Sequence, residues 1–138
     1  MTDPYAAFRD AVEGKDVDAA VALFADDVVF HSPVVHKPYV GREALRAILT
    51  AVMQVFEDFR YTGEYAGGTG HVLEFACHVG DRDLQGVDIL RGGTPDGDTP
   101  DGDNGGGGDT VQLTELTVLV RPYSAATLLR ERMAAQLP

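Results

Sequence analysis

A chain of 138 residues with 44% hydrophobic content is long enough for one domain built on one core, spanning residues 1–138, and short for two. Its net charge of −11, with two lysines and nine arginines scattered along the sequence, argues against nucleic acid and against acidic membranes as partners, because both need clustered cations. No run approaches the roughly 20 apolar residues of a membrane span, and the acidic start Met1-Thr2-Asp3-Pro4 lacks the basic and apolar regions of a signal peptide, so a cytoplasmic protein is expected.

In chain order, Asp3 caps a first helix with Pro4 at its first position, and Tyr5, Phe8 and Val12 recur at helical spacing until Gly14. Asp16 caps a second helix in which Val17, Ala20, Val21 and Phe24 share a face; Asp26-Asp27 is expected to end it before the β-branched run Val28-Val29-Phe30. This short strand leads into a proline-bounded loop from Pro33 to Gly41. From Arg42 the apolar positions Leu45, Ile48, Leu49, Val52 and Phe56 mark a third, longer helix. Strands follow over Phe59 to Ala66, His71 to Gly80, Leu84 to Arg91 and Val111 to Arg121, joined as antiparallel hairpins. Ser124 is placed to cap a last helix with Leu128, Leu129, Met133 and Leu137 along one side. Helices first, then a meander of strands, then a terminal helix predicts an α+β fold with its helices gathered on one face of a curved sheet.

One stretch differs from the rest. Residues 92–110 contain only Gly, Asp, Thr, Pro and Asn, with no apolar side chain to anchor them, and are expected to form a flexible hairpin loop. Their five aspartates account for −5 of the −11, so the remainder carries an ordinary −6. The repeated Pro-Asp-Gly-Asp at 95–98 and 100–103 offers oxygen ligands of the kind calcium takes, but it lacks the register and closing acid of an EF-hand loop. No histidine pair has metal-ligand spacing and no glycine-rich turn joins a strand to a helix, so no metal and no cofactor is expected. Cys77, alone in the run Phe75-Ala76-Cys77, reads as a buried, inert thiol.

The residue with the most chemical content is Asp88, inside Leu84-Gln85-Gly86-Val87-Asp88-Ile89-Leu90. A carboxylate in such a run is costly unless it is paired or protonated. Period-two alternation sets Leu84, Gly86, Asp88 and Leu90 on one face and Val87 and Ile89 on the other. If Asp88 turns inward, the apolar outer face is a reason to expect a homodimer. The alternative has Asp88 pairing with Arg91 or Arg121 and only shaping the sheet.

The run from Tyr5-Ala6-Ala7-Phe8 through Gly14-Lys15-Asp16-Val17 to Ala22-Leu23-Phe24-Ala25-Asp26-Asp27-Val28, followed by Gly41-Arg42-Glu43-Ala44-Leu45, resembles the start of the nuclear-transport-factor-2-like superfamily. Gly86-Val87-Asp88-Ile89-Leu90-Arg91 and Glu115-Leu116-Thr117-Val118-Leu119-Val120-Arg121-Pro122 are similar to its SnoaL-like branch. The resemblance implies a cone-shaped fold with a sheet wrapped around a pocket, a common dimer, and diverse functions. It sets Asp88 where the similar steroid isomerases carry a protonated aspartate and the similar limonene epoxide hydrolases their acid. It also sets Ser32 at the isomerases' general base and Phe8 at their oxyanion tyrosine, and neither can do the original task. Val118 and Gly86 stand where the epoxide hydrolases need an aspartate and an arginine, so neither activity carries over intact.

Catalytic candidates are therefore Asp88, with His31 beside the vacant base position and His36 in the proline-flanked loop; His78 is a weaker partner. Tyr39, Ser32, Phe8, Met53, Phe56, Leu116 and Val118 are expected to contact substrate. The function expected is a cofactor-independent cyclase, isomerase or hydrolase acting on a hydrophobic carbonyl compound. The alternative is a non-catalytic ligand-binding or dimeric accessory domain.

Overall fold

A computed structural model describes residues 3–92 and 112–137. Helix α1 (Pro4–Glu13) starts as the sequence implies: Asp3 accepts the Tyr5 N–H, and Pro4 fills a position whose own N–H would have no partner. It ends in a Schellman motif, with the Lys15 N–H on the Val12 carbonyl and the Asp16 N–H on the Ala11 carbonyl. Lys15 occupies the left-handed position of that motif, at φ 57°. Asp16 then turns and caps α2 (Val17–Ala22) by accepting the Ala19 N–H.

Helix α2 is shorter than the periodicity suggests. It stops at Ala22, and β1 (Phe24–His31) already contains Asp26 and Asp27. The two aspartates sit exposed on the strand rather than ending the helix, and Arg42 accounts for the tolerance of Asp26 there. Its Nε and Nη2 donate to the Phe24 carbonyl at 2.9 and 2.6 Å while Nη1 meets Asp26 Oδ1 at 3.0 Å. A short β2 (Tyr39–Val40) lies within the stretch expected to be loop, paired with Phe30 and Val29. Helix α3 (Arg42–Val55) buries Leu45, Ile48, Leu49, Ala51 and Val55.

The strands β3 (Glu57–Ala66), β4 (Gly70–Val79), β5 (Arg82–Gly92) and β6 (Leu113–Arg121) form the meander, and α4 (Tyr123–Gln136) closes the chain. Pro122, not Ser124, occupies the cap position of α4, and no side chain caps it. The six strands are ordered β2-β1-β6-β5-β4-β3. All neighbours are antiparallel except β1 and β6, which run parallel. The sheet is therefore mixed and unclosed, not a pure run of hairpins. The flexible loop expected at 92–110 lies outside the described residues apart from Gly92, as does the calcium reading of its aspartates.

Alternation along β4 buries Leu73, Phe75, Cys77 and Val79 on the face that meets the helices, and β5 buries Leu84, Asp88 and Leu90 on that same face. Gly86 breaks the row for a steric reason: a Cβ there would stand 2.5 Å from both the Phe75 ring and the Leu119 carbonyl. Phe8 and Phe24 meet edge to face at 5.8 Å in one core cluster; Phe75 and Leu129 belong to a second beneath α4. Among the described residues, no helix is long and apolar enough to cross a membrane.

Candidate functional site

The two core clusters leave a cavity of about 610 Å³ between the sheet and helices α1, α3 and α4. Its wall is mainly apolar, with Phe30, Ile48, Val52 and Leu129 among the lining side chains. A volume of this order accommodates a small organic molecule.

Asp88 lies on the wall of this cavity. Strand pairing sets it opposite Leu73 on one side and Val118 on the other, so the alternation that buries Leu73 and turns half-buried Val118 to the cavity also turns the carboxyl inward. It is 8% exposed, and it is the one polar or charged residue in the buried set of the described chain. Oδ2 accepts a hydrogen bond from the Tyr61 hydroxyl at 2.8 Å. Burial pushes the Asp88 carboxyl up to about 7, and the Tyr61 hydrogen bond pulls the other way without overcoming it. Burial together with the adjacent carboxylate raises Tyr61 far above the ordinary phenol range, so Tyr61 remains a donor. Neither arginine reaches Asp88. Arg121 donates to Gln85 at 2.6 Å, and Arg91 is exposed. Asp88 is thus an acid that holds its proton up to neutrality at the edge of an apolar space.

The sequence-nominated contact residues Tyr39, Ser32, Phe8, Met53, Phe56, Leu116 and Val118 all line the same cavity. The histidines do not. Phe30 faces the cavity, and one step along the strand His31 points to the other side, where its Nε2 lies 2.7 Å from Glu115 Oε2. His36 is exposed in the loop and does not line the cavity. His78 lies between two carboxylates, 3.0 Å from Asp58 and 2.9 Å from Asp83. Neither histidine expected beside Asp88 is among the residues lining the cavity: His31 meets Glu115, and His36 is exposed in its loop.

Sequence reasoning passed over Tyr61, although Phe59 and Tyr61 alternate with Arg60 and Thr62 along β3 in the pattern that marks an inward face. It also passed over the charged rim, where Glu13, Lys15, Asp58 and Arg130 border the opening. Glu13 and Asp58 are the carboxylates other than Asp88 among the lining residues, and the charge of Glu13 is felt at Tyr61. Cys77 is buried and its thiol is pushed up to about 12 by burial, which makes it a poor nucleophile.

The order of elements, the open mixed sheet and the cavity between sheet and helices define an α+β fold of the nuclear-transport-factor-2-like, cone-shaped kind. The family model of the SnoaL-like domain matches residues 5–99, and the chain belongs to that family. Among solved structures, it is similar to an uncharacterised protein with a cystatin-like fold from Silicibacter pomeroyi, at 32% identity and TM-score 0.80, covering 99% of this chain and 86% of that one. It is also similar to a steroid delta-isomerase from Pseudomonas aeruginosa, at 33% identity and TM-score 0.79, covering 96% and 88% respectively. A protein with a ketosteroid isomerase-like fold from Catenulispora acidiphila, in complex with trimethylamine, shares the fold at 16% identity and TM-score 0.61, covering 100% and 95%. Comparison with curated proteins gives no match.

Proposed function

We propose that the protein binds a hydrophobic carbonyl compound in the cavity and acts on it as a cofactor-independent isomerase, cyclase or hydrolase, with Asp88 as the acid. The observation that carries this reading is a buried carboxyl, raised to about 7, on the wall of an apolar cavity of about 610 Å³. A protonated carboxyl donates a hydrogen bond to a carbonyl oxygen, and that bond strengthens as negative charge develops on the oxygen during enolisation. Tyr61 positions the acid through Oδ2 and leaves Oδ1 to carry the proton toward the ligand. The proton taken from the carbon next to the carbonyl passes to Glu13, to Asp58 or to water. Its return to a different carbon completes an isomerisation, whereas attack of the enolate carbon on a second carbonyl of the same molecule closes a ring. The likeness to the Pseudomonas aeruginosa isomerase at 33% identity supports this class.

The test is deuterium uptake next to the carbonyl in a panel of hydrophobic cyclic ketones incubated in D₂O. The wild-type protein is expected to accelerate exchange for at least one of them, and Asp88→Asn to slow it about 10²-fold or more. Equal exchange in the two proteins removes the acid. A second reading, a non-catalytic ligand-binding or accessory domain, is favoured by the positions of His31 and His36, which leave no imidazole on the cavity wall. Ligand binding without exchange in any ketone selects it.

The assembly belongs to the same proposal. The outer face of the sheet carries Val72, Val87 and Ile89, all half-buried, and Leu119, which is 53% exposed. This apolar band is the surface we assign to a homodimer. Light scattering at tens of micromolar is expected to give twice the monomer mass, and Leu119→Arg to halve it; a wild-type monomer withdraws the assignment.

A further inference from the structure

The opening of the cavity is chemically unlike its interior. Of the lining residues, Lys15 from the end of α1 and Arg130 from the middle of α4 are cations, and neither has a carboxylate within ion-pair distance among the described residues. Four arginines elsewhere have carboxylate partners: Arg9 with Glu64, Arg42 with Asp26, Arg46 with Asp18 and Arg82 with Asp81. What sets Lys15 and Arg130 apart is their place, as the two cations lining a mainly apolar cavity. Two carboxylates, Glu13 and Asp58, line the same rim, and Asp58 is also 3.0 Å from His78 Nδ1.

Lys15 adds a second, independent observation. Its φ of 57° places it in the left-handed position that closes a Schellman motif, where glycine is the usual residue because a side chain there is strained. The neighbouring Gly14 has φ −87° and does not need glycine's freedom for that reason. A cation therefore stands at the strained site, at the edge of the cavity. Attraction to the C-terminal end of α1 accounts for a lysine there, but it does not account for Arg130, which lies in the middle of its helix.

We infer that the compound taken into the cavity is an amphipathic anion, its acidic group held at the mouth by Lys15 and Arg130 and its apolar body extending toward Asp88. This rests on the cavity reading above and narrows it to hydrophobic compounds that carry a carboxylate, sulfonate or phosphate as well as the carbonyl or hydroxyl that meets Asp88. The wall supplies most of the affinity, and the two cations decide between charged and neutral molecules of the same shape. Both residues are exposed, so the attraction is moderate and sensitive to salt.

Two fluorescent probes with the same ring system separate the charge from the body: 8-anilinonaphthalene-1-sulfonate, which is anionic, and N-phenyl-1-naphthylamine, which is neutral. Both are titrated into the wild-type protein, into the double variant Lys15→Asn/Arg130→Gln, and into Val118→Phe, which narrows the cavity opposite Asp88. Asparagine tolerates the left-handed position, so the double variant keeps its fold. The expected result is an anionic-probe affinity about tenfold weaker in the double variant and falling with salt, with the neutral probe changed by less than about twofold. Val118→Phe is expected to weaken both probes. If the double variant binds the anionic probe as tightly as wild type, or loses both probes equally, the anion reading is overturned while the apolar cavity stands. If neither probe binds, or Val118→Phe changes neither, the cavity reading is overturned together with it.

Discussion

Glu64 and Asp88 occupy one row of the sheet, separated by Leu73, and their protons behave in opposite ways. Glu64 is at the wet margin, where His71 Nε2 lies 2.6 Å from one oxygen and Arg9 donates to the other at 2.8 Å. The His71 hydrogen bond, ahead of the contribution from Arg9, holds its carboxyl below the usual carboxylate range. Asp88 has one neutral donor and no cation, and burial raises it to about 7. Position in the ladder does not decide the ionisation of a carboxyl. Access to water and the sign of the nearest partner do, and here both change within two strands.

The largest expected effect follows from the Asp88 side of this pair. Its folded value near 7 lies above the roughly 4 of an unfolded aspartate. Below pH 4 both states are protonated and the group is neutral in stability. Between pH 4 and 7 the unfolded chain loses its proton while the folded chain keeps it, so stability falls, and above 7 the full penalty is present. Asp88→Asn removes that penalty. It is expected to stabilise the protein at pH 8, by at most about 4 kcal/mol, and to leave it nearly unchanged at pH 4, as read from urea denaturation at the two values. A variant that destabilises equally at both would show that Asp88 is ionised and paired in the folded chain.

A middle-sized effect is expected at Tyr61. Its hydroxyl supports the charged form of Asp88, so Tyr61→Phe should raise the Asp88 carboxyl above 7 and cost roughly 1 kcal/mol for the lost hydrogen bond. Carboxyl carbon chemical shifts followed by NMR across pH give the direction. A downward move would mean that Tyr61 supports the neutral acid instead.

How far these features could be read from residue order depends on how local their causes are. The inward turn of Asp88 was legible because alternation is a two-residue rule and Leu84 and Leu90 share its face. The same rule, applied from Phe30, would have excluded His31 from the cavity and, applied from Phe59, would have included Tyr61. The caps at Asp3 and Asp16 were legible for the same local reason. By contrast, the parallel pairing of β1 with β6 joins residues more than eighty positions apart, and Asp26 is tolerated in β1 through Arg42 on a different element. The charged rim gathers side chains from α1, β3 and α4 around one opening. No single window of sequence contains those relations.

The smallest expected effect lies on the Glu64 side and sharpens the contrast by its sign. A carboxyl held below its unfolded value contributes stability above about pH 4, and that stability is lost as pH falls through the lowered folded value. Glu64→Gln should therefore destabilise at pH 7 and be neutral near pH 2, the reverse of the pattern at Asp88. Because Glu64 and Arg9 are both well solvated, the loss at pH 7 should stay within about 1 kcal/mol. Part of it reflects the orientation of His71, whose ring stacks on Tyr5 at 4.6 Å and ties β4 to α1. The double variant Arg9→Met/Glu64→Gln divides the two contributions: a coupling near zero assigns the effect to His71, and a coupling close to the whole loss assigns it to Arg9. Either outcome preserves the sign. Stabilisation by Glu64→Gln that grows as pH rises would place Glu64 in the same class as Asp88 and erase the distinction between the wet edge strand and the dry interior one.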